Sequence, residues 1–103
     1  MAKNNMAEKK LEKRIILNLK LFGFYVYKTS SFGNCYDYNI SYNEAGIADL
    51  VVIGGKNKVT FLEVKTDKGR QSKSQKVFQE LCEKSEVIYR VVRSVSDAMK
   101  AVK

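Results

Sequence analysis

The chain has no histidine, no proline and only two cysteines among its 103 residues. Without histidine, serine and cysteine hydrolase triads lack their usual base. A zinc site would need four ligands that this sequence does not supply. Cys35 and Cys82 lie far apart with no metal-type partner nearby, and read as buried or idle thiols in a reducing compartment. No apolar run is long enough to span a bilayer. No hydrophobic segment of a secretory signal follows Met1, so a cytoplasmic location is expected. Acidic residues are also scarce, 11 against 19 Lys and Arg, for a net charge of +8. That balance favours an acidic partner, most simply nucleic acid, although it equally describes a solvated basic surface. Residues 1–103 leave room for one domain with one core, and show no repeat, low-complexity stretch or linker.

What is present centres on Gly46-Ile47-Ala48-Asp49-Leu50-Val51-Val52-Ile53 and Phe61-Leu62-Glu63-Val64-Lys65. Gly54-Gly55-Lys56-Asn57 between them is a turn signal, and the β-branched flanks complete a predicted β-hairpin. Alternation along the strand puts Glu63 and Lys65 on one face and Val64 on the other. With Gly55-Lys56-Asn57 as the loop, residue 54 pairs with 58 and Asp49 lies opposite Glu63. Directly opposed residues have Cβ atoms roughly 5 Å apart. Two carboxylates that close repel unless a cation lies between them, and hard oxygen ligands suit Mg²⁺ or Mn²⁺. Lys65 on the same face can hold a nucleophilic water or balance charge on a phosphate.

Around this hairpin the chain reads in order as α-β-β-β-α-β-α. Residues 1–6 are polar and expected to fray. Leu11, Ile15, Leu19 and Phe22, joined by Ile16, predict a helix from Ala7 to Phe22, ended by Gly23. Its other face is basic, with Glu8 placed to favour the helix N-terminus and Glu12 a neighbour of surface lysines. Phe24–Lys28 predicts a strand. From Thr29 to Glu44 the pattern is irregular. Tyr36, Tyr38 and Tyr42 there suit base stacking, a small core or a subunit contact. The continuous run Val51-Val52-Ile53 suggests a strand covered on both faces.

Thr66–Ser72 is a charged loop, and Lys68, Arg70 and Lys73 either grip phosphates or are solvated. Ser72 and Gln75 form an S-x-x-Q capping box for a helix to about Lys84. Val77, Phe78 and Leu81 are its predicted inward stripe, flanked by Cys82. Val87–Val92 is a further strand, and Ser94 or Ser96 caps a last helix through Val102. Helices alternating with strands late in the chain predict an α/β mixed sheet with helices on its faces, the strand after the long helix joining in parallel.

Asp49 followed by Glu63-Val64-Lys65 resembles the PD-(D/E)xK nuclease signature. More narrowly, the chain is similar to the virus-type replication-repair nuclease (VRR-NUC) family. That family reads Glu on a first helix, then G-x-P-D, E-x-K and a helix carrying Gln. The counterparts here are Glu12, Gly46-Ile47-Ala48-Asp49, Glu63-Val64-Lys65 and Gln75, with Ala48 standing where the family usually has proline. The resemblance runs from about Glu8 to Val102 and implies a restriction-endonuclease-like fold. Glu12, eleven residues before Gly23, meets the family spacing for a metal-proximal glutamate, and Glu8 does not. Lys28 and Ser31 occupy a place where the family carries basic and small polar residues leading into the site.

The resemblance implies a metal-dependent endonuclease. Asp49, Glu63 and the Val64 carbonyl would bind Mg²⁺ or Mn²⁺, with Glu12 at or near the metal. Lys65 would orient the attacking water, and Gln75 would orient Lys65 or a water, beside its capping role. DNA is the expected partner, in branched form such as Holliday junctions or flaps, and a homodimer is expected because stand-alone members are often dimeric. A non-catalytic nucleic-acid-binding module on the same scaffold is the alternative. It would keep the basic charge, but has no use for two opposed carboxylates.

Overall fold

Backbone pairing builds the sheet outward from a central antiparallel hairpin. The computed structural model describes residues 2–32 and 46–103, with side chains described over 6–30 and 46–103. Its elements are α1 (Ala2–Leu21), β1 (Tyr25–Lys28), a 3-10 helix (Thr29–Phe32), β2 (Leu50–Ile53), β3 (Val59–Val64), α2 (Lys73–Lys84), β4 (Ile88–Val92) and α3 (Val95–Val102). The strands lie in the order β1-β2-β3-β4. β1 and β3 flank β2 antiparallel, and β4 joins β3 in parallel after the α2 crossover. The order α-β-β-β-α-β-α in a mixed sheet flanked by helices is that of the restriction-endonuclease-like fold.

The hairpin has the register expected from its loop. Ile53 faces Val59 and Leu50 faces Leu62, while the Gly54 N–H donates to the Lys58 carbonyl at 2.8 Å. Alternation then divides the side chains between two faces. Leu50, Val52, Leu62, Val64 and Val92 point to a core closed by Ile15 and Leu19 of α1 and by Ala98 and Val102 of α3. Phe61, Tyr89 and Val91 point the other way, against Phe78 and Cys82 of α2. Phe61 and Phe78 meet edge to face with centroids 5.2 Å apart.

Several sequence expectations are corrected by this packing. β2 is covered on one face only at its outer end, since Ile53 is 44% exposed while Leu50 and Val52 are fully buried. α2 packs against β3 and β4. Within α2, Phe78 and Cys82 face the sheet, whereas Val77 and Leu81 are exposed. The helix is rotated because Gln75 and Gln79 on its inner side are hydrogen-bonded to β3 and to Gln71. Phe22 is exposed too, with the Lys103 ammonium 5.3 Å over its ring. α1 starts at Ala2 instead of Ala7. The apolar period marks where a helix packs, and a helix propagates past that stretch one hydrogen bond at a time.

Gly23 ends α1 at φ +92°, with the Phe24 N–H returning to the Leu19 carbonyl at 3.1 Å. Ser94 caps α3 by accepting from the Asp97 N–H. The stretch Tyr36 to Tyr42, together with Cys35, lies outside the described residues. Among the described residues, no helix is long and apolar enough to cross a membrane.

Candidate active site

The ends of β1, β2 and β3 nearest Lys28, Asp49 and Val64 meet the N-terminus of α2, and Thr29, Glu63 and Lys65, three of the four buried polar residues among those described, gather there. Asp49 directly precedes β2. The register that pairs Leu50 with Leu62 sets it across from Glu63. Its Oδ2 accepts from the Val64 N–H at 2.8 Å, so its carboxylate continues the ladder with a side-chain acceptor. Behind it, the buried Thr29 fixes the backbone. Its Oγ1 donates to the Ala48 carbonyl at 2.6 Å, and its N–H donates to the Asp49 carbonyl at 3.0 Å. Gly46 allows the turn into this segment. It sits at φ +91°, and a Cβ there would collide with the Ser74 carbonyl at the start of α2.

Glu63 is 1% exposed. Its Oε2 accepts from Gln75 Nε2 at 3.0 Å and lies 3.7 Å from Lys65 Nζ. Its Oε1 is buried without a hydrogen-bond partner among the described residues. An unsatisfied carboxylate oxygen in the interior is costly. The side chain responds by holding its proton: burial, then the Asp49 charge, push its pKa up to about 8. Lys65 opposes that rise, and Glu8 adds a little to it. Lys65 is itself buried, and its N–H donates to the Val92 carbonyl at 3.0 Å.

These features fit a hard divalent cation. An oxygen with no donor, a second carboxylate beside it and a lysine on the flank form an acceptor-rich pocket that a cation would neutralise. Asp49 and Glu63 are the side chains able to hold it, with the Val64 carbonyl next in the chain. Among the described residues, no three acidic, histidine or cysteine side chains gather around one point. Glu12 in particular stands apart. Its Oε1 pairs with Lys28 Nζ at 3.0 Å, a partner on β1 and not one of the helix neighbours that α1 spacing suggests. Glu8, one turn earlier, is the α1 carboxylate whose charge reaches Glu63.

Gln75 takes its capping role and adds a contact that the sequence did not suggest. Its backbone N–H and side chain complete the capping box with Ser72, and its Nε2 meets Glu63 instead of Lys65. Lys68 and Arg70 are exposed and line a cleft of about 550 Å³ with Asp67, Gly69 and Arg93. Lys73, the first residue of α2, is exposed. Ser31 lies on the 3-10 helix, and its side chain is outside the described part.

Three residues escape the sequence reading. Thr29 reaches across 19 residues and Arg93 across 24 to 27, and no local pattern announces either. Gln71 is a third: its Nε2 donates to the Tyr89 hydroxyl at 3.1 Å and to Gln79 Oε1 at 2.9 Å, tying the loop to β4 and α2. Burial pushes the Tyr89 pKa up to about 12, so this hydroxyl stays protonated.

A family model of the VRR-NUC domain matches residues 29–96. A solved structure described as a VRR-NUC domain superposes with a TM-score of 0.68 at 24% identity, covering 90% of each chain. No curated protein sequence matches significantly. With the family model spanning most of the chain and the fold shared almost end to end, the protein belongs to the VRR-NUC domain family, a family of nucleases.

Proposed function

We propose that the protein is a Mg²⁺- or Mn²⁺-dependent DNA endonuclease that hydrolyses phosphodiester bonds in branched DNA such as Holliday junctions or flaps. The observation that carries this reading is the buried, unpartnered Glu63 Oε1 beside the Asp49 carboxylate. A pure binding module gains nothing from that cost. Asp49, Glu63 and the Val64 carbonyl would hold the ion. When bound, it supplies Lewis acidity toward the scissile phosphate and acidifies its water.

The chain's own residues do the rest. Gln75 fixes the Glu63 carboxylate through Oε2, which leaves Oε1 for the cation. Lys65, held beside Glu63, orients the attacking water or offsets charge developing on the phosphate. Lys68, Arg70 and Lys73 contact flanking phosphates, and Lys28 and Ser31 line the approach from β1. The net charge of +8 draws the substrate in.

A C2 homodimer would supply two sites for a substrate that has approximate two-fold symmetry of its own. The tyrosine stretch from Tyr36 to Tyr42 is the candidate contact.

The test is a gel of labelled junction, flap and linear duplex incubated with Mn²⁺, with Mg²⁺ and with EDTA. Cutting of a branched substrate with metal, none with EDTA and none by Asp49→Asn is the expected pattern. Absence of cutting on all three substrates with either ion refutes the proposal.

A further inference from the structure

Arg93 is the first residue after β4, and its guanidinium reaches back over the loop that follows Lys65. Nη1 donates to the Thr66 carbonyl, to the Gly69 carbonyl at 2.8 Å and to the Asp67 carbonyl at 3.4 Å. The turn it closes is tight, for the Gly69 N–H returns to the Thr66 carbonyl at 3.0 Å. The base of the turn is fixed as well, because the Lys65 N–H donates to Val92, the residue before Arg93. Arg93 is exposed; its backbone N–H donates to Asp97 Oδ2 at 3.0 Å, while among the described residues its guanidinium forms no ion pair with a carboxylate. Its charge is directed at backbone carbonyls, which pair more strongly with an ionised donor than with a neutral one.

The turn in its clamped shape lies against the lysine. A Cβ on Gly69 would come within 3.3 Å of Lys65 Cδ and 3.4 Å of Lys65 Cβ. Backbone at Gly69 therefore forms one wall along the Lys65 stem. On its other side the Lys65 ammonium faces Glu63 Oε2 at 3.7 Å. A four-carbon stem carries large rotamer freedom, and little else among the described contacts restricts it.

We propose that Arg93 is a positioning residue for Lys65: by gripping the carbonyls of Thr66, Asp67 and Gly69, it holds the turn as a wall that keeps the Lys65 ammonium at the carboxylate pair. This rests on the nuclease reading of Lys65 given above. Arg93 touches no reacting atom in this scheme, and acts through the loop alone.

The experiment compares wild type, Arg93→Ala and Gly69→Ala. Gly69 lies outside the left-handed region of φ, so alanine there strains no backbone and moves the wall toward Lys65 by a few tenths of an ångström. Misplacing a reacting group by about 1 Å costs about 100-fold in rate, and a smaller shift costs less. Single-turnover cleavage at saturating DNA is expected to fall about 100-fold in Arg93→Ala and about 10-fold in Gly69→Ala. DNA affinity, its salt slope and the rise in melting temperature on adding Mn²⁺ stay as in wild type.

Amide exchange at Gly69, which needs neither substrate nor metal, is expected to rise about tenfold in Arg93→Ala as the turn opens. Unchanged Gly69 exchange, or unchanged cleavage in both variants, overturns the clamp. A salt slope lower by about one in Arg93→Ala would make Arg93 a phosphate contact instead, and also overturns it. Should wild type cut no DNA, the nuclease reading fails, while the exchange comparison still decides whether Arg93 holds the turn. Should Arg93→Ala fail to fold, Gly69→Ala decides alone: wild-type rate in that variant refutes the proposal.

Discussion

Glu63→Gln should stabilise the protein in the absence of metal, and the amount should depend on pH. The substitution keeps the shape of the side chain and the acceptor for Gln75 Nε2, and turns the acceptor facing Asp49 into a donor. In wild type the folded-state pKa stands at about 8 against an ordinary 4.5. A raised carboxyl pKa means that the native state holds a proton which the unfolded chain has released. Native stability is therefore untouched below about pH 4.5, declines as pH rises through the interval, and levels off above about pH 8. At about 1.4 kcal/mol per unit the ceiling is about 5 kcal/mol. Asp49 is only half-buried, and solvent there screens the repulsion, so about 2 kcal/mol is the expected gain. In a chain of this size that moves the melting temperature by about 10 °C. Thermal melts in EDTA at pH 4 and pH 9 read it directly. The variant and wild type should coincide at pH 4, and the variant should melt higher at pH 9. Adding Mn²⁺ should raise wild type and leave the variant nearly still. Equal melting temperatures at both pH values would refute the reasoning, since neither burial nor Asp49 would then be raising the Glu63 pKa.

Lys65→Met should abolish turnover yet keep the melting-temperature rise with Mn²⁺, which is about 2.7 kcal/mol at 100 times the dissociation constant; retained cleavage removes Lys65 from the chemistry. Thr29→Val leaves the Ala48 carbonyl without its 2.6 Å bond, and should cost about 1–3 kcal/mol in urea melts and slow cleavage by letting Asp49 drift. Light scattering at micromolar concentration should give twice 11.8 kDa, and a mass of 11.8 kDa unchanged by junction DNA would count against the homodimer.

Much of the architecture was legible because its signals are local. The Gly-rich turn set the hairpin register, and with it the opposition of Asp49 and Glu63, from loop length alone. Ser72 and Gln75 announced the start of α2, three residues apart. What was not legible depends on contacts between distant residues. The rotation of α2 follows from Gln75 and Gln79 bonding beyond their own helix, so the apolar residues Val77 and Leu81 misled. The clamp of Arg93 and the tether of Thr29 join positions with no shared period. For Glu12, helix spacing offered lysine neighbours on α1, whereas its partner Lys28 comes from β1, a contact that no local period announces.

The amide of Gln75 is used at both ends at once. Its oxygen takes the Ser72 N–H at 2.8 Å, and its nitrogen gives to Glu63 Oε2 at 3.0 Å. A glutamate serves elsewhere as an equally good third residue of a capping box. Here it would supply the acceptor but lack the donor, and would add a negative charge beside a carboxyl that already holds its proton. While Glu63 keeps its proton that charge meets a neutral neighbour; once Glu63 ionises, as pH rises through about 8, the substitution Gln75→Glu needs a cation to separate the two charges. In that variant the first turn of α2 should then fray in EDTA and re-form with metal, making helix content near residues 73–76 a switchable reporter of ion occupancy that the native glutamine keeps permanently on.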